Sequence, residues 1–193
     1  EAETALAQGI IALADHVHLH SAASLQETSS AFTIPKEKLT ILPHGNYAGW
    51  YPEYISRGQA RAALGLSATD DVILVPGQIR PYKGVGDLIA ATRSVLHERP
   101  NARLLIAGQM SDDVHAALLS AAGRDAQNQL RLINRFIDDA ELQLFFGAAD
   151  FAVLPYRRVL TSGSLILALG FGVPVVVPDV GMTRQVIAGS KAG

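Results

Sequence analysis

The chain of 193 residues has no cysteine. That absence excludes a disulfide framework, thiolate metal ligands and a cysteine nucleophile, and it leaves the redox compartment unspecified. An excess of positive charge is missing as well. With 16 Lys and Arg against 18 Asp and Glu the net charge is −2, so no bulk field attracts nucleic acid or an anionic lipid surface. Any anion site must therefore be local. Long apolar runs are absent too: the stretch from Leu165 to Pro178 is broken by Gly170, Gly172 and Pro174, where a spanning helix needs roughly 20 apolar residues. The chain opens on Glu1-Ala2-Glu3-Thr4, without an initiator Met or a basic-then-apolar start. No signal peptide is legible, and a piece of a longer chain is expected.

What is present is material for a core. Apolar residues make up 49% and charged residues 18%, a balance typical of a folded chain, and the length suits one domain plus part of another. From Asp71 onward, short β-branched runs alternate with amphipathic stretches, the signal for a parallel sheet covered by helices. Strands are predicted over Asp71–Pro76, Arg103–Ala107, Leu130–Asn134, Phe151–Leu154 and Val173–Val177. Between the first two, Val85, Leu88, Ile89, Thr92, Val95 and Leu96 form one apolar stripe of a helix that ends before Pro100. Further helices are predicted over Asp112–Ala122, Asp139–Ala148 with Asp138 as N-cap, Ser164–Phe171, and from about Met182. With right-handed crossovers these units give an α/β, doubly wound, Rossmann-like parallel sheet, in which ligands sit outside the carboxyl ends of the strands.

The first 60 residues differ. They read as an Ala-rich helical start, a strand His16–His20, a helix Ala22–Ala31 and a strand Leu39–Leu42. Residues 1–45 are expected to be tail elements and linker of a preceding domain, and residues 46–193 the Rossmann-like domain. The Gly-, Pro- and aromatic-rich run Pro43–Pro52 marks the junction.

Two loops could hold an anion. The first strand runs into Gly77-Gln78-Ile79-Arg80-Pro81-Tyr82-Lys83-Gly84, two cations in a Gly/Pro loop that opens a helix, where free amides and the dipole add to their charge. The segment matches neither a P-loop nor the dinucleotide fingerprint, and it also reads as a plain turn. After the fourth strand, the loop Pro155–Ser164, ending in Thr161-Ser162-Gly163-Ser164, precedes a very apolar helix. Its hydroxyls could cap the helix or bind phosphate. Loops after different strands of one parallel sheet face one crevice, which strengthens the anion reading of both.

Other clusters read more plainly. His16, His18 and His20 share a strand face as a metal site would require, but alternation does this in any strand, and no metal site is expected. Asp138, Asp139 and Glu141 open a helix, where carboxylates complement the dipole. Trp50, Tyr51, Tyr47 and Tyr82 could stack on a sugar or base, although aromatics beside a connector more often pack against it.

Six segments in order resemble the C-terminal, donor-binding half of family 4 retaining glycosyltransferases (glycosyl transferases group 1), which have the two-domain GT-B architecture. They are Ile41–Gly45, Gly77–Gly84, Leu104–Gly108, Asp138–Leu142, Ala149–Tyr156 and Gly172–Val176. The resemblance implies a domain incomplete at both ends that binds a nucleoside diphosphate sugar, UDP- or GDP-linked, as substrate, with no cofactor and no metal. It implies catalytic roles for Lys83, which would meet the diphosphate, and for Arg80, standing in for the family's Arg where this chain has Gln78. Substrate contacts would come from Gly77, Gln78, Gly84, Gly108, Phe136, Ile137, Thr161, Ser162, Gly163 and Ser164, with the base near Phe136 and Ile137. The family's Glu-x7-Glu pair falls on Val159 and Leu167, so those donor contacts are missing. Of the paired glycines usual after the fifth strand, Gly181 remains and Met182 replaces the other.

The implied reaction transfers a sugar to an acceptor hydroxyl with retention, in polysaccharide or cell-envelope glycan synthesis. An acceptor glycan or lipid-linked sugar would bind through the preceding domain. The expected location is cytoplasmic, with peripheral membrane association of the longer protein, and no nucleic-acid partner. The chain alone is expected to be inactive and to self-associate through apolar edges. Two alternatives stay open: a non-catalytic sugar-nucleotide binding module, and a GT-B sugar-nucleotide 2-epimerase.

Overall fold

A computed structural model describes residues 2–189. The chain begins with α1 (Ala2–Leu13), β1 (Val17–Leu19), α2 (Ala22–Ala31) and β2 (Leu39–Ile41). β1 and β2 pair in parallel as a separate two-stranded sheet. Ser21 caps α2, accepting from the Ser24 amide at 3.0 Å.

The remaining elements are α3 (Arg57–Ala63), β3 (Asp71–Pro76), α4 (Val85–Glu98), β4 (Ala102–Ala107), α5 (Asp112–Ala126), β5 (Leu130–Ile133), α6 (Leu142–Ala148), β6 (Phe151–Val153), α7 (Gly163–Gly170), β7 (Val175–Val176) and α8 (Thr183–Gly189). The five predicted strands are present and form one parallel sheet in the order β5-β4-β3-β6-β7. The first strand of the sheet is thus central, and the order reverses between β3 and β6. Ligand crevices of doubly wound folds open at such a switch point. The loops after β3 and β6 flank it.

The sheet is buried on both faces, as continuous apolar strands require. On one face Val72, Leu74, Leu105 and Ala152 pack with Ala60, Phe145, Phe146 and Ala168. On the other, Ile73, Val75, Leu104 and Ile106 meet Val85, Ile89, Met110 and Leu118. Each large side chain so enclosed contributes about 1.5–3 kcal/mol.

Several predicted boundaries shift. β7 is shorter than Val173–Val177, because Pro174 offers no amide. The helix expected to end at Ala122 continues to Ala126 across a break at Gly123 (φ 70°, ψ 170°). The helix expected over Asp139–Ala148 begins as a 3-10 turn, Asp139–Glu141. Helix α3 was not anticipated. It is opened by a capping box in which Ser56 accepts from the Gln59 amide (3.3 Å) while Gln59 Oε1 accepts from the Ser56 amide (2.8 Å). It docks through Arg61, 4% exposed, which donates to the carbonyls of Ala148 (3.2 Å) and Ala68 (2.6 Å) and pairs with Asp150 (2.8 Å). Asp150 also accepts from Arg57 and from the Val72 amide, so residues ahead of β3 lock onto the sheet.

The junction aromatics pack rather than stand free. Tyr47 and Tyr51 lie 5.6 Å apart, and Tyr51 and Phe171 6.3 Å, with Phe171 stacked on Phe146 at 4.9 Å. Trp50, 79% exposed, stays outside this row. No helix among the described residues is long and apolar enough to cross a membrane.

Candidate active site

At the carboxyl ends of β3, β4 and β5 lies a cavity of about 310 Å³, lined by Gly77, Gln78, Gly108, Gln109, Phe136, Ile137, Ser164 and Leu167, with Leu142, Phe145 and Phe146 among its apolar walls. The strand pairing continues into its rim. Gly77 N donates to Ala107 O (2.9 Å), Ile79 N to Gln109 O (2.9 Å) and Gly108 N to Ile133 O (3.0 Å).

Lys83 is not among the residues lining this cavity; it meets Ser164, which is, beside Gly77 at the cavity's edge. The φ of Gly77 is +89°, and the point a Cβ would occupy lies 2.8 Å from Ser164 Oγ and 3.1 Å from Lys83 Nζ. Side chains from the two predicted loops therefore converge on one bare glycine. Lys83 is 8% exposed. Its nearest aromatic is Tyr156, whose ring centroid lies 5.9 Å from Nζ. Burial, and then the charge of Arg80, lower its pKa to about 8.

The loop after β6 supplies the other side. Ser162, buried, caps α7 by accepting from the Leu165 amide at 3.1 Å, and its Oγ bonds the Tyr156 hydroxyl at 2.6 Å. Gly163 leaves room beside the Tyr47 hydroxyl, 3.9 Å from where its Cβ would be. Of the four residues Thr161 to Ser164, only Ser164 lines the cavity. Thr161 instead lines a neighbouring groove with Glu27, Arg157, Arg158 and Val159.

Arg80 stands outside the cavity. It lines an adjoining groove with Tyr82, Gln109 and Met110, and its Nη2 donates to Gln78 Oε1 at 3.1 Å. Gly84, left-handed at φ +67°, ends the 3-10 turn Pro81–Lys83 and opens α4.

The apolar end is set by the turn after β5. Arg135 makes a two-pronged pair with Glu141, 2.6 Å at each nitrogen, and Nη1 also donates to Phe136 O at 3.0 Å. This bracket holds Phe136, 69% exposed, and Ile137 at the cavity mouth. Glu141 thus has a partner that the helix-opening reading did not foresee, and its carboxyl is held below the usual range by Arg135. Leu167 sits in the cavity wall while Val159 faces the neighbouring groove. The two positions of the expected Glu pair do not share a pocket.

Sequence reasoning passed over the wall residues Leu142, Phe145 and Phe146, although their i, i+3, i+4 spacing was available. Tyr156 falls within the second candidate loop but was given no role. The cavity lining includes no carboxylate and no imidazole. Chemically, the cavity can shelter a flat apolar group at its Phe136 end, and Lys83, beside Gly77 at its edge, can neutralise an anion placed there.

Comparison with known proteins agrees with this architecture. The family described as "Glycosyl transferases group 1" matches residues 70–193, and the chain belongs to that family. It is 31% identical over 167 residues to a D-inositol 3-phosphate glycosyltransferase of Jonesia denitrificans, covering 82% of this chain and 39% of that protein. It is 30% identical over 140 residues to a GDP-mannose:glycolipid 4-beta-D-mannosyltransferase of Xanthomonas campestris pv. campestris, covering 72% of this chain and 36% of that protein. The chain spans about two fifths of the length of these curated relatives. Among solved structures, HepE of Anabaena in complex with UDP and glucose matches with a TM-score of 0.80 at 18% identity, over 96% of this chain and 50% of that one. WaaG, a glycosyltransferase involved in lipopolysaccharide biosynthesis, matches with a TM-score of 0.76 at 22% identity, over 89% and 46%. At these identities the likeness is one of fold: a Rossmann-like domain of the GT-B type.

Proposed function

We propose that this chain is the donor-binding part of a retaining glycosyltransferase that uses a nucleoside diphosphate sugar. The convergence of Lys83 Nζ and Ser164 Oγ on Gly77 carries this reading. A diphosphate placed over Gly77 would gain a charge-assisted hydrogen bond from Lys83, a hydroxyl from Ser164 and the dipole of α7. The nucleobase would rest between Phe136, Ile137 and the apolar wall.

As the bond between the sugar and the diphosphate breaks, negative charge grows on the leaving oxygen. Lys83 stabilises it in place, and Arg80 adds a longer-range positive field from beside Gln78. These fixed cations do the work that a divalent metal does elsewhere. The sugar passes to an acceptor hydroxyl, a glycan or lipid-linked sugar held by the preceding domain of a longer protein, at the cytoplasmic face of a membrane. On this reading residues 46–193 are the donor domain, residues 1–45 belong with the acceptor side, and the chain by itself turns nothing over.

Leu167 in the cavity wall favours one second reading, a non-catalytic sugar-nucleotide binding module. The epimerase alternative has no acid or base in the cavity lining to support it. Calorimetric titration with UDP, GDP and ADP tests the proposal, repeated with Lys83→Ala. Saturable binding of one nucleotide, weakened by the substitution, supports it; no binding to the folded chain refutes it. Turnover by the full-length protein then separates transferase from binding module.

A further inference from the structure

Tyr156 is 5% exposed and lies between the two loops of the site, yet nothing in the proposed chemistry uses it. It touches both loops through different parts of its side chain. Its hydroxyl bonds Ser162 Oγ at 2.6 Å, the same oxygen that caps α7 at the Leu165 amide. Its ring sits 5.9 Å from Lys83 Nζ. Ser164 lies close enough for its hydroxyl to act on the phenol, while burial pushes the phenol pKa up. The hydroxyl is therefore neutral near pH 7 and keeps its proton for hydrogen bonding.

A buried tyrosine that only filled space would serve as well without its oxygen. Here the oxygen is joined to the helix start and the π-face to the cation. We propose that Tyr156 is a positioning residue that fixes the distance between the Lys83 ammonium and the start of α7, so that both address the same phosphate groups. The inference rests on the diphosphate reading given above and assigns a role that reading did not need.

The role separates phosphate binding from base binding. Removing the hydroxyl loosens the Ser162 cap and the placement of Ser164, while Phe136 and Ile137, on the turn after β5, are untouched. Tyr156→Phe and Tyr156→Leu are titrated with the nucleoside diphosphate that the wild type binds and with the matching nucleoside. Amide hydrogen exchange at Leu165 is followed in the same proteins without ligand. In Tyr156→Phe, diphosphate affinity is expected to fall about tenfold, the loss of one well-placed hydrogen bond. Nucleoside affinity stays within twofold and Leu165 exchanges faster. Tyr156→Leu, which also removes the ring under Lys83, loses more of the diphosphate affinity.

Unchanged diphosphate affinity in Tyr156→Phe overturns the inference, as does an equal loss for diphosphate and nucleoside, which marks a merely structural role. If the wild type binds no diphosphate, it is the reading of the site that fails. Leu165 exchange then decides for Tyr156: unchanged protection in Tyr156→Phe refutes its hold on α7.

Discussion

Gly84 lies against the backbone of Pro155 so closely that a Cβ on Gly84 would fall well inside contact distance of the Pro155 carbonyl oxygen. The two loops of the site therefore meet backbone to backbone, and the Arg157 amide donates to Tyr82 O at 3.0 Å beside the contact. Gly84 also holds φ +67°, which side chains rarely adopt. Gly84→Ala is expected to lose at least about 2 kcal/mol of stability in urea unfolding and to weaken nucleotide binding. Gly86→Ala, two residues on in α4 with open space around it, should be neutral or stabilising by up to about 1 kcal/mol.

Lys83 trades stability for anion binding. Its folded pKa of about 8 lies below the ordinary 10.5, so between these values the unfolded chain holds a proton that the folded chain lacks. Stability attributable to Lys83 rises with pH across that window; below about pH 8 both states are protonated and the folded one bears the whole burial cost, about 3 kcal/mol by linkage. Lys83→Met should therefore be more stable than wild type by about 1–3 kcal/mol in urea at pH 7 without ligand. The advantage should shrink by pH 10. Nucleotide affinity of the wild type should fall as pH rises through about 8, since only the ammonium attracts phosphate, and Lys83→Met should show no such step.

The Arg61–Asp150 pair supports the sheet from the side remote from Gly77. Arg61→Ala leaves Asp150 with the more exposed Arg57 and the Val72 amide, and removes the donor to the Ala148 and Ala68 carbonyls. A loss of about 1–3 kcal/mol in urea unfolding is expected, from the lost hydrogen bonds of a buried side chain. Nucleotide affinity measured on the remaining folded protein should stay within twofold.

Phe136 is the opposite case. It is exposed, so Phe136→Ala should change stability by less than about 0.5 kcal/mol. If a base stacks there, nucleotide affinity should fall by about 1–3 kcal/mol, the usual worth of one base on an aromatic ring. Equal affinities before and after would remove Phe136 from the site.

The sheet was legible because Val72 to Val75 and Leu104 to Ile106 are unbroken apolar runs flanked by amphipathic helices. Lys83 and Ser164 were legible as loop residues after two strands. Their meeting at Gly77 was not, because it depends on the strand order β4-β3-β6, which only packing decides. Helix α3 escaped notice because its buried face is only Ala60 and Arg61: the apolar part is one small residue, and Arg61 buries because Asp150 and the Ala148 carbonyl, far along the chain, partner it. The relation of Arg80 to Lys83 was not legible either: the turn Pro81–Lys83 buries Lys83 and leaves Arg80 against Gln78, in the adjoining groove.

The convergence of two loops on one phosphate is tested most directly by a double-mutant cycle on nucleotide affinity. UDP or GDP, whichever binds, is titrated into wild type, Lys83→Ala, Ser164→Ala and the double variant at pH 7. If both side chains address the same diphosphate, the losses are non-additive by about 0.5 kcal/mol or more, as expected for groups sharing one partner. Losses that add within about 0.3 kcal/mol, or affinities untouched by either change, would mean that Lys83 and Ser164 do not share a ligand.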